Sequence, residues 1–249
     1  MTAESLHAKP GWVLAGGCLL ATLASAVNAD FMLRLGVSVS HLTGDLSRIS
    51  SEAVKSGSLW TPQLAVLGLS VLGFISGAST AGFFIHHPNV ELSRPYGRSV
   101  VAVGALLVFA HLAAFRSMPA ACFLAAWACG MQNALATRYR GLVLRTTHIT
   151  GLLTDLGQLL GMRLRGHPIE PWKLTTPLLL ALAFASGAFG GAWLSLKWQW
   201  PVTLLCGYAY LFGGIGWSLL KRIRLARYRA AAKVTPASNR SATNASDAR

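Results

Sequence analysis

Long uncharged apolar runs, separated by short polar stretches, dominate the pattern along this chain. Crossing the hydrocarbon core of a bilayer takes about 20 helical residues. Six runs are of about that length or longer: Gly11 to Ala29, Ser56 to Val90, Ser99 to Phe115, Ser117 to Thr137, Leu174 to Leu196 and Trp198 to Leu220. They predict an all-α integral membrane protein of six transmembrane helices. Two of the polar interruptions are nearly the same. Val39 to Leu46 reads VSHLTGDL and Arg145 to Leu153 reads RTTHITGLL, which sets His41 and His148 107 positions apart.

Each interruption follows an extended-looking piece, Leu35 to Val39 and Leu142 to Thr146, where β-branched residues favour a short strand. Each runs on into a weakly helical stretch, Leu42 to Val54 and Ile149 to Met162. An unpartnered backbone N–H or C=O in lipid costs several kcal/mol, so irregular chain at membrane depth survives only inside protein or along a wet cavity. The pattern therefore predicts a broken, re-entrant His-x-Thr-Gly segment in each half. The alternative, a strand and half-helix that cross completely, gives eight passages and weakens the charge asymmetry described below.

The duplication extends beyond the two motifs. Val27-Asn28-Ala29 precedes the first as Gln132-Asn133-Ala134 precedes the second, and FISGA at Phe74 is matched 110 positions later by FASGA at Phe184. Residues 1–117 and 118–220 are thus expected to be two membrane repeats. Three spans in each, an odd number, make the repeats face the membrane in opposite senses, an arrangement found in secondary transporters. Gly73-x-x-x-Gly77 and Gly187-x-x-x-Gly191 fit close helix packing and predict an interface between the halves.

Composition agrees with the membrane class. Only 12% of the 249 residues are charged and 53% are hydrophobic, against about 25% charged in an average soluble domain. The net charge of +14 lies in connections and a tail, with eight of the 22 Lys and Arg after Leu220, so it is no nucleic-acid surface. Six spans place 17 basic residues on the side of both termini and five on the other. By the positive-inside rule both termini are cytoplasmic, in a multi-pass protein of the bacterial inner membrane. Trp12, Trp60, Trp172, Trp198, Trp200 and Trp217 stand near span ends, where indole rings favour the headgroup boundary. A retained first helix is expected, despite Lys9 and the Ala24-Ser25-Ala26 triplet, because cleavage there would remove the partner of the fourth span. Residues 221–249 form a basic tail that begins KRIRLARYR, attracted to anionic lipid, and ends disordered.

The candidate site residues are the polar groups in and around the motifs: Asn28, His41, Thr43, Gly44 and Asp45 in the first half, and Gln132, Asn133, Thr147, His148, Thr150, Gly151 and Asp155 in the second. Imidazoles titrate near neutrality and can move protons, or simply hold a backbone break. Glycines permit close backbone approach, and Thr43 and Thr150 can cap freed N–H groups at a helix start suited to an anion or polar solute. The chain has only eight acidic residues, and one at membrane depth points to a functional site or a buried pair. Asp30 can instead lie at an aqueous boundary. Cys18, Cys122, Cys129 and Cys206 sit in apolar runs without CxxC spacing and read as packing residues, so neither metal nor cofactor is expected.

GMQNA at Gly130 to Ala134 followed by RTTHITGLL, with the shorter NA and SHLTGD of the first half, resembles the YoaK-like family of bacterial membrane proteins over about residues 11 to 220. The resemblance implies the polytopic architecture and brings no established reaction. It also implies Asp where Asn28 stands and Asn where Asp45 stands. The function expected is a small-solute transporter or permease, with its site between the repeats and a small polar or anionic solute as ligand. The alternative is a membrane scaffold or sensor acting through the tail. No Ser/His, HExxH or paired-Asp arrangement suggests an enzyme.

Overall fold

The computed structural model describes residues 10–58, 60–84, 96–135, 137–139, 142–144 and 146–234. They form eight helices and one pair of three-residue strands: α1 (Pro10–Leu35), α2 (Leu42–Ser56), α3 (Pro62–Phe84), α4 (Tyr96–Ala114), α5 (Met118–Ala134), β1 (Thr137–Tyr139), β2 (Leu142–Leu144), α6 (Ile149–Leu164), α7 (Pro171–Lys197) and α8 (Val202–Val234).

Five of these, α1, α3, α4, α7 and α8, are long and apolar enough to cross a membrane. Six were expected; the run from Ser117 yields α5, whose 17 residues stop at Ala134. Ser117 caps α5 by accepting from the Ala120 amide, and Pro119 occupies the first turn, where its missing N–H costs nothing. The run from Ser56 to Val90 is divided, because Gly57 adopts φ 62° and ends α2; α3 starts only at Pro62. α1 continues six residues past Ala29 and so takes in Asp30 and Arg34. β1 and β2 pair antiparallel, with Thr137 opposite Leu144, so the extended reading before the second motif holds for β2. The first motif has no such strand. α8 continues through the basic stretch to Val234, so the first part of the tail 221–249 is helical, while the segment expected to be disordered, 236–249, lies outside the described residues.

Small residues decide which helices meet. Gly73 and Gly77 of α3 sit on the backbone of α5 at Phe123 and Trp127, while Gly187 and Gly191 of α7 sit on α1 at Thr22 and Ala26. Both helix pairs run parallel. Each glycine pair expected at an interface between residues 1–117 and 118–220 therefore packs on a helix from the other segment. α4 and α8 cross antiparallel through four further glycines: a Cβ on Gly97 would lie 2.8 Å from the Gly214 carbonyl, and one on Gly104 2.7 Å from that of Gly207. α2 lies on α3 and α6 on α7, at the periphery. Between α1, α3, α4, α5 and α8 the core is closed by Val27, Leu67, Leu107, Cys122, Ala125 and Val202.

Gly77→Ala should destabilise the protein by about 1–3 kcal/mol, since a methyl there drives into α5 backbone. Gly68→Ala, in the same helix but with open space around it, should be neutral or stabilising by up to about 1 kcal/mol. Thermal unfolding of the purified variants in one detergent checks the pair, and equal effects would remove the packing argument.

Candidate functional site

α1 ends where Gly36 adopts φ 66° and donates its N–H to the Met32 carbonyl at 3.1 Å. The chain then turns back along its own helix. The Asn28 Oδ1 accepts from the Ser38 hydroxyl at 2.9 Å, the Val39 amide at 3.0 Å and the Ser40 amide at 3.2 Å. The His41 amide donates to Ser38 Oγ at 2.9 Å. One buried carboxamide thus satisfies an irregular segment that would otherwise present bare backbone. Thr43 was expected to cap such groups, yet Thr43 and Gly44 face outward, and His41 occupies the N-cap of α2 without a side-chain cap bond.

His41 is half-buried, and its ring meets Phe184 of α7 edge-on at 5.3 Å between centroids. Burial lowers its basicity. Asp45 is 2% exposed. Its Oδ1 lies 3.9 Å from Arg48, which is instead committed to the Gly36 carbonyl at 2.7 Å, and its Oδ2 is unpartnered. Asp45 lies outside the five long apolar helices. Desolvation pushes its carboxyl up to about 6, against the weaker opposing effects of Arg48 and the Ser38 amide.

The second motif is held by Gln132 rather than by its neighbour Asn133. Gln132 Nε2 donates to the Leu20 carbonyl at 2.9 Å and to Thr146 Oγ1 at 3.0 Å. The Tyr210 hydroxyl donates to Gln132 Oε1. Thr146 and Thr147 are buried in the turn that follows β2. Asn133 is half-buried with its Oδ1 unpartnered. His148 is exposed at the N-cap of α6, again without a cap bond, and its ring folds over Gly151, where a Cβ would collide with it. Thr150 and Asp155 face outward. Leu152 of α6 buries itself with Ala21 and Leu180, and Ile149 packs beside them.

The structure thus gathers two groups, Asn28 with the stretch from Ser38 to His41 and buried Asp45, and Gln132 with Thr146, Tyr210 and Leu20. Thr43, Gly44, His148, Thr150 and Asp155 stay on exposed faces. Tyr210 was missed because it stands in an apolar run, GYAYLF, where only the need of a buried phenol for a partner hints at its role. Asp30 is no idle boundary residue. It takes Arg34 Nε at 2.6 Å, Ser195 Oγ at 2.8 Å, Thr203 Oγ1 at 2.7 Å and the Thr203 amide at 3.1 Å, tying α1 to α7 and α8.

Beside Gln132 a cavity of about 240 Å³ opens between α1, α4, α5 and α8, with Thr146, Tyr210, Trp12 and Trp217 in its wall. Among the described residues no three His, Cys, Asp or Glu side chains gather as metal ligands.

Five long apolar helices, with two polar motif segments packed among them, make this a multi-pass helical protein of membrane type. A family model described as a protein of unknown function, DUF1275, matches residues 16–215, and the chain belongs to that family. Comparison with curated proteins and with solved structures returned no match.

Two outcomes follow from this geometry. Asp30→Ala should cost about 3 kcal/mol by stranding buried donors, whereas Asp155→Ala should shift stability by less than about 0.5 kcal/mol; thermal denaturation in detergent compares them. For Asp45 the folded value lies above the ordinary 3.8. The native state therefore keeps a proton that the unfolded chain has released between about pH 4 and pH 6. Stability should be highest at the acid end and fall through that window by up to about 1.4 kcal/mol per pH unit. Asp45→Asn should lack this slope, and identical pH profiles for the two proteins would overturn the assignment.

Proposed function

We propose that the chain is a small-solute transporter of six membrane crossings, built from inverted three-span halves, 1–117 and 118–220, with its site between them. The observation that carries the reading is that the two motif segments fold inward from opposite ends of α1 and approach one another in depth. The stretch from Ser38 to Ser40 folds back to the level of Asn28, and His41 reaches Phe184, beside the Ala183 carbonyl that accepts from Thr22 at 3.0 Å. By helical rise Thr22 lies on the order of 15–20 Å from Leu35. From the other end, Gln132 and Thr146 lie level with Leu20, about 15 Å from Pro10. Asn28 itself lies about 10 Å from Leu35, so in a hydrocarbon core about 30 Å thick the first break stands well inside one face, with the His41 ring reaching toward the middle, where the second break lies.

Helix direction supports the sixth crossing. α1 and α7 run parallel, as the Thr22–Ala183 and Asp30–Ser195 bonds require. Starting from α1, with α3 and α4 crossing in turn, α7 can match α1 only if α5 also crosses. α5 is short because its end, at Gln132, is the break, and the hairpin of β1 and β2 continues beyond it. The glycines support the inversion. Gly97 and Gly104 lie 110 positions before Gly207 and Gly214, yet Gly97 meets Gly214 and Gly104 meets Gly207, the reciprocal contact of a two-fold pair. Both termini are cytoplasmic in a bacterial inner membrane, by the charge count. The matched span, 16–215, lies within the stretch that carries the YoaK-like resemblance, and we read the two as one family.

The continuation of α8 as a basic helix to Val234 favours a second reading, a scaffold that acts through anionic lipid. In a version without native cysteines, His41→Cys should react slowly and only from the periplasmic side, and His148→Cys only from the cytoplasmic side. Free labelling of both from bulk water sinks the mid-membrane site. Saturable solute flux in proteoliposomes that survives removal of residues 221–249 favours transport; loss of all function with the tail favours the scaffold.

A further inference from the structure

The cavity beside Gln132 has a chemical character that says what it holds. Its wall consists mainly of Leu, Val, Ala, Gly and aromatic residues, and none of the lining residues is charged. A charged ligand would leave water for a wall without a counter-charge, which is strongly unfavourable. Three of its polar groups, Gln132, Thr146 and Tyr210, are gathered at one place. Gln132 is internally satisfied, its amide bound to Leu20 and Thr146 and its Oε1 to Tyr210. That arrangement uses the oxygen of Thr146 as an acceptor and the proton of Tyr210 as a donor. Among the described residues the hydroxyl proton of Thr146 and the oxygen lone pairs of Tyr210 have no partner. Around Gln132 the wall therefore offers one donor and one acceptor, set on either side of that side chain; the other polar groups of the wall, Trp12, Tyr96 and Trp217, belong to other stretches of it.

We propose that this cavity binds a neutral, largely apolar molecule carrying a single hydroxyl, which accepts from Thr146 and donates to Tyr210. A water's share of liquid volume is about 30 Å³, so the 240 Å³ of the cavity suits about eight to ten non-hydrogen atoms. The inference concerns binding and does not require that the ligand be carried. It also departs from the anionic or strongly polar solute that the helix starts suggest, since the outward-facing Thr43 and Thr150 lie away from this wall.

The test uses the full chain in lipid nanodiscs with benzyl alcohol as probe, and toluene and benzoate as isosteres that lack the hydroxyl or carry a charge. Gly16 lines the cavity with open space where its Cβ would stand, so Gly16→Leu plugs it without disturbing a helix contact. Gly213→Leu does the same from α8. Binding is read as the difference between wild type and either plugged variant in the same discs, which removes partition into lipid. Saturable benzyl alcohol binding is expected, weakened about tenfold in Thr146→Val, with toluene and benzoate at least tenfold weaker than the alcohol. Equal binding of toluene, tighter binding of benzoate, an unchanged affinity in Thr146→Val, or no difference from both plugged proteins would each overturn the proposal. A chain that binds the alcohol but moves no solute keeps this site and loses the transport reading. One that moves solutes but fails the alcohol tests keeps transport and loses this ligand class.

Discussion

The bonds that Asn28 accepts from the chain at Ser38 to Ser40 are the interaction on which the first half depends. A backbone turning back along its own helix presents N–H groups that must find partners once they are buried away from water. A single carboxamide oxygen, buried one and a half to two turns inside α1, takes them. Once this stretch is held, His41 is carried onto α7 and Asp45 is drawn into the core. In the second half the same task passes to Gln132, one position before the residue that aligns with Asn28. Gln132 reaches across to α1 and Thr146 rather than along its own helix, and Tyr210 completes it.

The two ends of the bundle differ in consequence. At the end of α1 that carries Leu35, Asp30 gathers donors from its own helix, from α7 and from α8, and Arg34 adds a bond to the Trp200 carbonyl at 2.9 Å. That end is pinned. At the other end, Gln132 spans a gap rather than closing it, and the space beside it is the cavity lined by Trp12 and Trp217. The ends are unequal because the residues at matching positions of the two segments differ: Asp30 has no acidic counterpart after Gln132, and Val27 stands where Gln132 does.

Much of this was legible along the chain. The apolar runs located α1, α3, α4, α7 and α8 to within a few residues at most ends, and the paired His-x-Thr-Gly motifs located the breaks. GxxxG spacing identified two glycine pairs that pack between the segments, because close approach needs small residues at one-turn intervals. The glycines of α4 and α8 carried an equally clear signal, seven residues apart in each helix and offset by the same 110 as FISGA and FASGA, but a seven-residue spacing is less conspicuous than GxxxG. The roles of individual polar residues were harder to read. Thr43, Thr150 and Asp155 have the right chemistry and the wrong faces, while Ser38, Tyr210 and Asp30 hold the structure together from positions that look ordinary in sequence.

What the chain determined by itself is what depends on local composition: apolar length, charge asymmetry, the sites where helices must break and the glycines that let them touch. Those follow from the cost of polar groups in lipid and from steric bulk, both of which are read one residue at a time. Tertiary structure alone decided which carboxamide holds each break, that α1 pairs with α7 and α3 with α5, and that Asp30 is spent on packing while Asp45 keeps an unpartnered oxygen. Partners 112 and 165 residues apart in sequence, Leu20 with Gln132 and Asp30 with Ser195, are fixed by where helices lie in space. Hydrogen bonds act over about 3 Å, and no pattern along the chain encodes a distance that short between residues so far apart.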